Sequence, residues 1–275
     1  MATQKKEYDE EARMTFTEHL AELRTRIIRS GIALVAAVIV CYALSSTLFE
    51  VVSRPLKPLE KITHPVVVDE SGKTVVVENA ADTSEGVQWT ALNPIEPVLV
   101  KLKLGAYGGL IIALPYIIYQ MCAFVFPGLT PKEKKVARFL IGGCGVLATA
   151  GVAVAYWGVL PLILPYLLEW APKGVVMQLR MNETVSFILM ALLAFAIAFQ
   201  FPMVVLILVY LGLLSPDTLK KHRRLAIVGI ALVSAILTPA DVFSMVIMLV
   251  PLIMLYELSI WASYLVLRRQ KASRQ

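Results

Sequence analysis

The amino-acid sequence predicts an all-α polytopic membrane protein of six transmembrane helices, the fifth and sixth short, with both termini in the cytoplasm. Three observations carry this expectation. First, 58% of the 275 residues are hydrophobic, only 17% are charged, and the mean hydropathy is +0.72, whereas a soluble domain holds about 25% charged residues. Second, the apolar runs lack the polar alternation of a membrane β-strand. Lipid offers no water to backbone N–H and C=O groups, so such runs must be helices. Third, Lys and Arg gather in alternate connecting segments.

The elements follow in order. Thr15–Arg29 reads as an amphipathic helix: Thr15 and Glu18 form a capping-box pattern, Phe16, Leu20, Leu23 and Ile27 share one face, and Glu18, Glu22, Arg26 and Arg29 share the other. Glu22 and Arg26 stand at i,i+4 spacing, an ordinary helix-surface pair. A span needs about 20 apolar residues, and runs at 27–49, 104–126, 137–160 and 184–211 supply them. In the external loop 51–97, the runs His64–Val68 and Lys73–Val77 flank Asp69-Glu70-Ser71-Gly72, which predicts a hairpin-like insertion over 62–80 as a local decoration.

Thr130-Pro131-Lys132-Glu133 places a cap, an N1 proline and an N3 glutamate at the start of the third span, and Ser215-Pro216 opens the segment before the fifth in the same way. Thr238-Pro239-Ala240-Asp241 repeats the pattern inside the last apolar region and splits it into 225–237 and 242–266. The first piece reaches only ~20 Å and would thin the bilayer or sit within a protein cluster. A single kinked helix over 225–266 would instead leave five spans.

Charge decides between five and six. Lys5, Lys6, Arg13, Arg24, Arg26 and Arg29 lie at the N-terminus, Lys132, Lys134, Lys135 and Arg138 in the second loop, Lys220, Lys221, Arg223 and Arg224 in the fourth, and Arg268, Arg269, Lys271 and Arg274 in the tail. These are 18 of the 26 basic residues. The positive-inside bias places all four segments in the cytoplasm, which requires an even number of spans. The chain divides into a cytoplasmic N-terminus (1–26), one six-helix membrane domain (27–267) and a basic tail (268–275). The first 13 residues are charged and mixed, and the first apolar run is too long for an h-region, so no cleavable signal is expected.

Several function classes fall away. Cys41, Cys122 and Cys144 lie in spans without paired spacing, and His19, His64 and His222 are scattered, so no metal set and no cofactor is expected. Phosphate-binding, nucleophile-elbow and zinc-helix motifs are missing, which points away from an enzyme. The net charge of +6 is explained by anchoring to anionic lipid, not by nucleic acid. Strongly polar residues within spans are few, and two of them, Gln200 and Glu257, leave one alternative, a small-solute secondary transporter with a mid-membrane polar site.

Motifs along the chain then point to a family. They are His19-Leu20-Ala21-Glu22-Leu23-Arg24-Thr25-Arg26, Ser53-Arg54-Pro55-Leu56, Pro94-Ile95-Glu96-Pro97 with Lys101-Leu102-Lys103, and Pro115 through Gln120. Ala123-Phe124-Val125-Phe126-Pro127-Gly128-Leu129, Glu133, Phe199-Gln200-Phe201-Pro202, Ser215-Pro216 and Leu237-Thr238-Pro239-Ala240-Asp241-Val242-Phe243-Ser244 complete the series. With these in order over about residues 14–267, the chain resembles TatC, the multispanning signal-receptor subunit of the twin-arginine protein translocase.

The resemblance implies a cup-shaped fold in the inner membrane. It implies binding of twin-arginine signal peptides of folded cargo at the cytoplasmic face, and assembly with single-span TatA and TatB proteins, as a homo-oligomer within a receptor complex, for export driven by the proton-motive force. Carried over by position, Glu22 and Glu133 would receive the two arginines, with Arg24, Phe124 and Gln120 in the same patch. Guanidinium forks pair bidentately with carboxylates in a way lysine does not. Pro55, Glu96, Thr238 and Asp241 would shape the external cup. Gln200 and Met245 would meet a partner helix; Gln200 stands where the family often has glutamate, so it can hydrogen-bond but cannot titrate.

Overall fold

A computed structural model describes residues 16–56, 66–68, 74–76, 89–125, 131–169, 179–210, 212–237 and 242–272. The first helix, α1 (Phe16–Ala43), joins the amphipathic segment and the first span in one rod that crosses the expected boundary at residue 26. A turn at Leu44 leads into α2 (Ser45–Ser53). The connection between α2 and the next long helix carries β1 (Val66–Val68) and β2 (Thr74–Val76), paired antiparallel with Val67 opposite Val75, which is the expected hairpin. Next, β3 (Trp89–Thr90) leads to α3 (Glu96–Val125), the second span.

The third helical rod starts at Pro131, as the proline at N1 predicts, and is longer than the run 137–160: α4 (Pro131–Ala153) passes through a π-helical stretch, Val154–Val159, into α5 (Leu160–Glu169). Pro161 follows the π-helical stretch and lacks the N–H that would continue the ladder, which accounts for the widened turn there. Then β4 (Leu179–Arg180) pairs parallel with β3 and ties two interhelical connections together.

The fourth span is broken where continuity was expected. It consists of α6 (Met181–Ala198) and α7 (Phe201–Tyr210), with a turn at Phe199-Gln200; Pro202 at the second position of α7 cannot donate the bond that would bridge the break. Short α8 (Pro216–Lys221) is capped by Ser215, whose Oγ accepts from the Thr218 N–H at 3.1 Å. The fifth apolar helix, α9 (Arg223–Leu237), is short at 15 residues. The last, α10 (Val242–Ala272), is not: it runs 31 residues and extends into the basic tail. Thr238 to Asp241 and the Thr15 cap lie outside the described residues.

Among the described residues, five helical stretches are long and apolar enough to cross a membrane: His19–Ala43, Glu96–Met121, Gly142–Tyr166, Met181–Tyr210 and Val242–Arg268. Large apolar side chains such as Ile32, Ile39, Trp157, Met254 and Trp261 stand exposed on their outer faces, as a lipid-facing surface requires. The buried core gathers Leu56, Leu104, Leu160, Ile163, Ile188, Phe195 and Met248 from most of the helices. Cys41 and Cys144 are buried there as packing residues.

The tightest crossing joins α1 and α3, which run antiparallel. Gly105 lies against Tyr42, Gly108 against Cys41, and Gly109 against Val38. A Cβ on Gly109 would come within 2.6 Å of Val38 N and Cα, so only glycine fits. Gly105 and Gly109 form the small-xxx-small spacing that lets membrane helices approach closely. Gly109→Val should therefore destabilise the protein by roughly 1–3 kcal/mol in detergent unfolding assays. Gly145→Ala, which meets nothing within 4 Å, should leave stability unchanged; equal effects of the two would refute the crossing.

Candidate functional site

The α1–α3 crossing brings two helical stripes face to face at one end of the bundle. Residues His19, Glu22 and Arg26 of α1 lie about one turn apart, as do Phe124, Gln120 and Tyr116 of α3, and the two stripes touch through His19 on Phe124 and Arg26 on Gln120. The His19 and Phe124 rings stack at 4.3 Å between centroids. Arg26 is the hub. Its Nε donates to Glu22 Oε1 at 3.0 Å, its Nη2 donates to the same oxygen, and its Nη1 donates to Gln120 Oε1 at 3.3 Å. Gln120 is buried at 4% exposure and donates from Nε2 to Tyr116 Oη at 2.6 Å.

The expected Glu22–Arg26 pair is therefore present, but on a face turned inward. The apolar residues Leu20 and Ile27 face outward, 48% and 61% exposed. In a soluble helix the polar side would face solvent; here lipid takes the apolar side and the charges meet a neighbouring helix. Glu22 and Arg26 side chains are each 21% exposed, and Glu22 Oε2 is buried with no hydrogen-bond partner among the described residues.

Beside this cluster an apolar groove of about 750 Å³ opens between α1, α3 and α7. Arg26, Gln120 and Phe124 line it together with Leu23, Ile27, Ile117, Met121 and Val204.

Of the residues expected to form one patch, the structure brings Glu22, Gln120 and Phe124 together. Arg24 projects elsewhere on α1 and is exposed. Glu133 falls in the first turn of α4, and its carboxylate lies outside the described residues. Arg26, His19 and Tyr116 are the additions. Their i, i+4 and i+7 spacing with Glu22 and Gln120 was visible in the sequence, but the pairing of the two stripes was not.

The remaining expected positions lie elsewhere. Pro55 follows α2 and is half-buried. Glu96 is buried in the first turn of α3, where a carboxylate suits the helix dipole, and its Oε2 has no hydrogen-bond partner among the described residues. Asn93 caps that helix through Oδ1, which accepts from Ile95 N–H at 3.1 Å. Thr238 and Asp241 lie outside the described residues. Gln200 sits at the break between α6 and α7, 3% exposed, and donates from Nε2 to the Cys144 carbonyl at 3.0 Å. Met245 is half-buried in the first turn of α10.

The transporter alternative finds no common site. Glu257 is bound by Arg223, whose Nη2 donates to Oε2 at 2.6 Å, while Gln200 is occupied by the backbone of α4. Neither residue lines the groove described above or a second, smaller one between α7, α9 and α10.

The chain as a whole is similar to known proteins. Positions 18–251 match the family described as Sec-independent protein translocase protein (TatC). The chain is 32% identical over 260 residues to the TatC of Aquifex aeolicus, covering 94% of this chain and 98% of that protein. It is 31% identical to the TatC of Halothiobacillus neapolitanus over 90% of this chain, spanning 62% of that longer relative, and 29% identical to the TatC of Azotobacter chroococcum, spanning 90% of it. Among solved structures it resembles a crystal structure titled twin arginine translocase receptor TatC, with a TM-score of 0.73 and 31% identity over 90% of this chain and 99% of that one.

The geometry predicts a contrast between two polar residues. Gln120→Leu strips partners from Tyr116 Oη and Arg26 Nη1 and should cost about 1–3 kcal/mol, read as a lower midpoint in detergent unfolding. Arg24→Ala, at an exposed position, should stay within about 0.5 kcal/mol. The reverse order would show that the two stripes do not meet.

Proposed function

From the premise that this chain belongs to the TatC family of Sec-independent protein translocase proteins, we propose that it is the receptor subunit that binds twin-arginine signal peptides of folded cargo. The observation that carries this reading is the partly buried carboxylate of Glu22, held by Arg26, which also donates to Gln120, one turn from the His19–Phe124 stack. A carboxylate fixed in that way accepts the planar fork of a guanidinium better than the single point charge of an ammonium. Glu133, in the first turn of α4, is the second acceptor, so that two acids on two helices read two adjacent arginines.

The site lies at the cytoplasmic face of the inner membrane, with both termini on that side and α9 as the sixth span; the four basic segments support this orientation. TatA- and TatB-type single-span proteins complete the machine, with this chain as a homo-oligomer in the receptor complex and the proton-motive force as the driver. Gln200 and Met245 serve the partner contact. The chain works by binding and translocation and performs no catalysis. Pro55, Glu96, Thr238 and Asp241 shape the external cup.

The deciding experiment makes this chain the sole such subunit in a cell supplied with matched TatA and TatB, and follows a folded reporter. An Arg-Arg signal should be exported and a Lys-Lys signal retained, and Glu22→Ala or Glu133→Ala should each abolish binding of the Arg-Arg peptide. Equal export of both signals would refute the reading. At 15 residues, α9 reaches only ~22 Å, less than the ~30 Å hydrocarbon core. Lengthening it by about a turn and a half should impair export while sparing peptide binding; undiminished export would show that its shortness is incidental.

A further inference from the structure

We propose that Arg26 is a built-in competitor of the cargo, occupying the Glu22 carboxylate with the same guanidinium chemistry that a signal arginine would bring; this rests on the reading of Glu22 as a signal acceptor. Two N–H groups of Arg26 converge on Glu22 Oε1, while the other oxygen, Oε2, is buried with no hydrogen-bond partner among the described residues. The carboxylate is thus half satisfied. It is held by a donor that fills one oxygen, while the other is buried without a partner among the described residues, so an incoming fork has to compete for the oxygen that Arg26 holds. The pair is neither sealed in the core nor free at the surface, since both side chains are 21% exposed.

Arg26 also has somewhere to go. Its Nη1 already donates to Gln120 Oε1, and Gln120 is held in place by Tyr116. When cargo takes Glu22, the guanidinium keeps one acceptor and stays at the mouth of the apolar groove, which it lines. The desolvated acceptor is therefore never left without a cation, and the released cation is never left without an acceptor. Lysine at position 26 would lack the second arm that spans Glu22 and Gln120 together.

A competitor inside the site lowers apparent affinity by the fraction of time it occupies the acceptor. That factor multiplies the affinity of every ligand equally, so it sets affinity and not selectivity. A part-exposed i,i+4 pair implies a factor of roughly two- to tenfold.

The test titrates the full-length protein in detergent with fluorescently labelled signal peptides bearing Arg-Arg or Lys-Lys. Arg26→Gln should tighten both by the same roughly two- to tenfold factor, leaving their ratio unchanged. Arg26→Lys, which keeps the charge and much of the length, should tighten both by less. Unchanged affinity, weaker binding, or a shifted Arg-Arg to Lys-Lys ratio in Arg26→Gln would each overturn the competitor. Glu22→Gln separates the two claims: if it binds the Arg-Arg peptide as the wild type does, the acceptor reading fails whatever Arg26 does.

Discussion

The antiparallel crossing of α1 on α3 is the constraint on which the rest depends. At Gly109 the backbones approach so closely that no Cβ fits beside Val38. That contact fixes the rotation and the axial register of both helices, because a glycine step tolerates only one depth of approach. Once it is set, the next turns along are determined. Tyr42 meets Gly105 toward one end, and toward the other Arg26 reaches Gln120 and His19 stacks on Phe124. The candidate site is thus an outcome of packing four turns away.

The same economy of polar groups runs through the spans. In lipid a buried polar group needs a protein partner, and the chain supplies partners from adjacent helices or from its own backbone. Lys103 Nζ donates to Asn182 Oδ1 at 2.8 Å and Ser186 Oγ at 2.7 Å, stitching α3 to α6. Tyr156 Oη donates to the Val51 carbonyl at 2.6 Å, and Ser259 and Ser263 donate to carbonyls one turn back in α10. Against that pattern, oxygens of Glu22, Glu96 and Gln200 that have no partner among the described residues stand out. All three were singled out from the sequence.

Much of this architecture was legible in the sequence because the bilayer imposes a simple code. Apolar runs marked the long helices, Pro131 and Ser215-Pro216 marked helix starts, and two β-branched runs around a Gly-containing turn marked the hairpin. What escaped was three-dimensional. The amphipathic stretch 15–29 gave no sign that its charged face would turn inward, since periodicity locates a face but not its neighbour. The break at Phe199-Gln200 was hidden inside a uniformly apolar run, where Pro202 alone hinted at it. Arg26 was read only as a local partner of Glu22, because its third bond goes to a residue 94 positions away. The length of α10 was missed for a different reason: apolar content ends near Leu267, but the helix continues on charged residues that periodicity in hydropathy does not count.

The last two helices show how local chemistry sets the shape of a membrane protein. Glu257, bound by Arg223, lies 15 positions into a 31-residue helix, about as far from Val242 as the whole length of α9. The ion pair therefore levels the first turn of α9 with the middle of α10. Asp217 Oδ1 accepts from Tyr264 Oη at 2.7 Å and the Leu219 carbonyl accepts from Tyr256 Oη at 2.8 Å, so α8 is held along the remaining half of α10. The segment 216–223 consequently lies beside α10 where a longer α9 would have run. Arg223 and Glu257 retain 45% and 32% exposure, so the pair holds this register without being sealed in the core. The shortness of α9 is thus enforced by the bonds at its start.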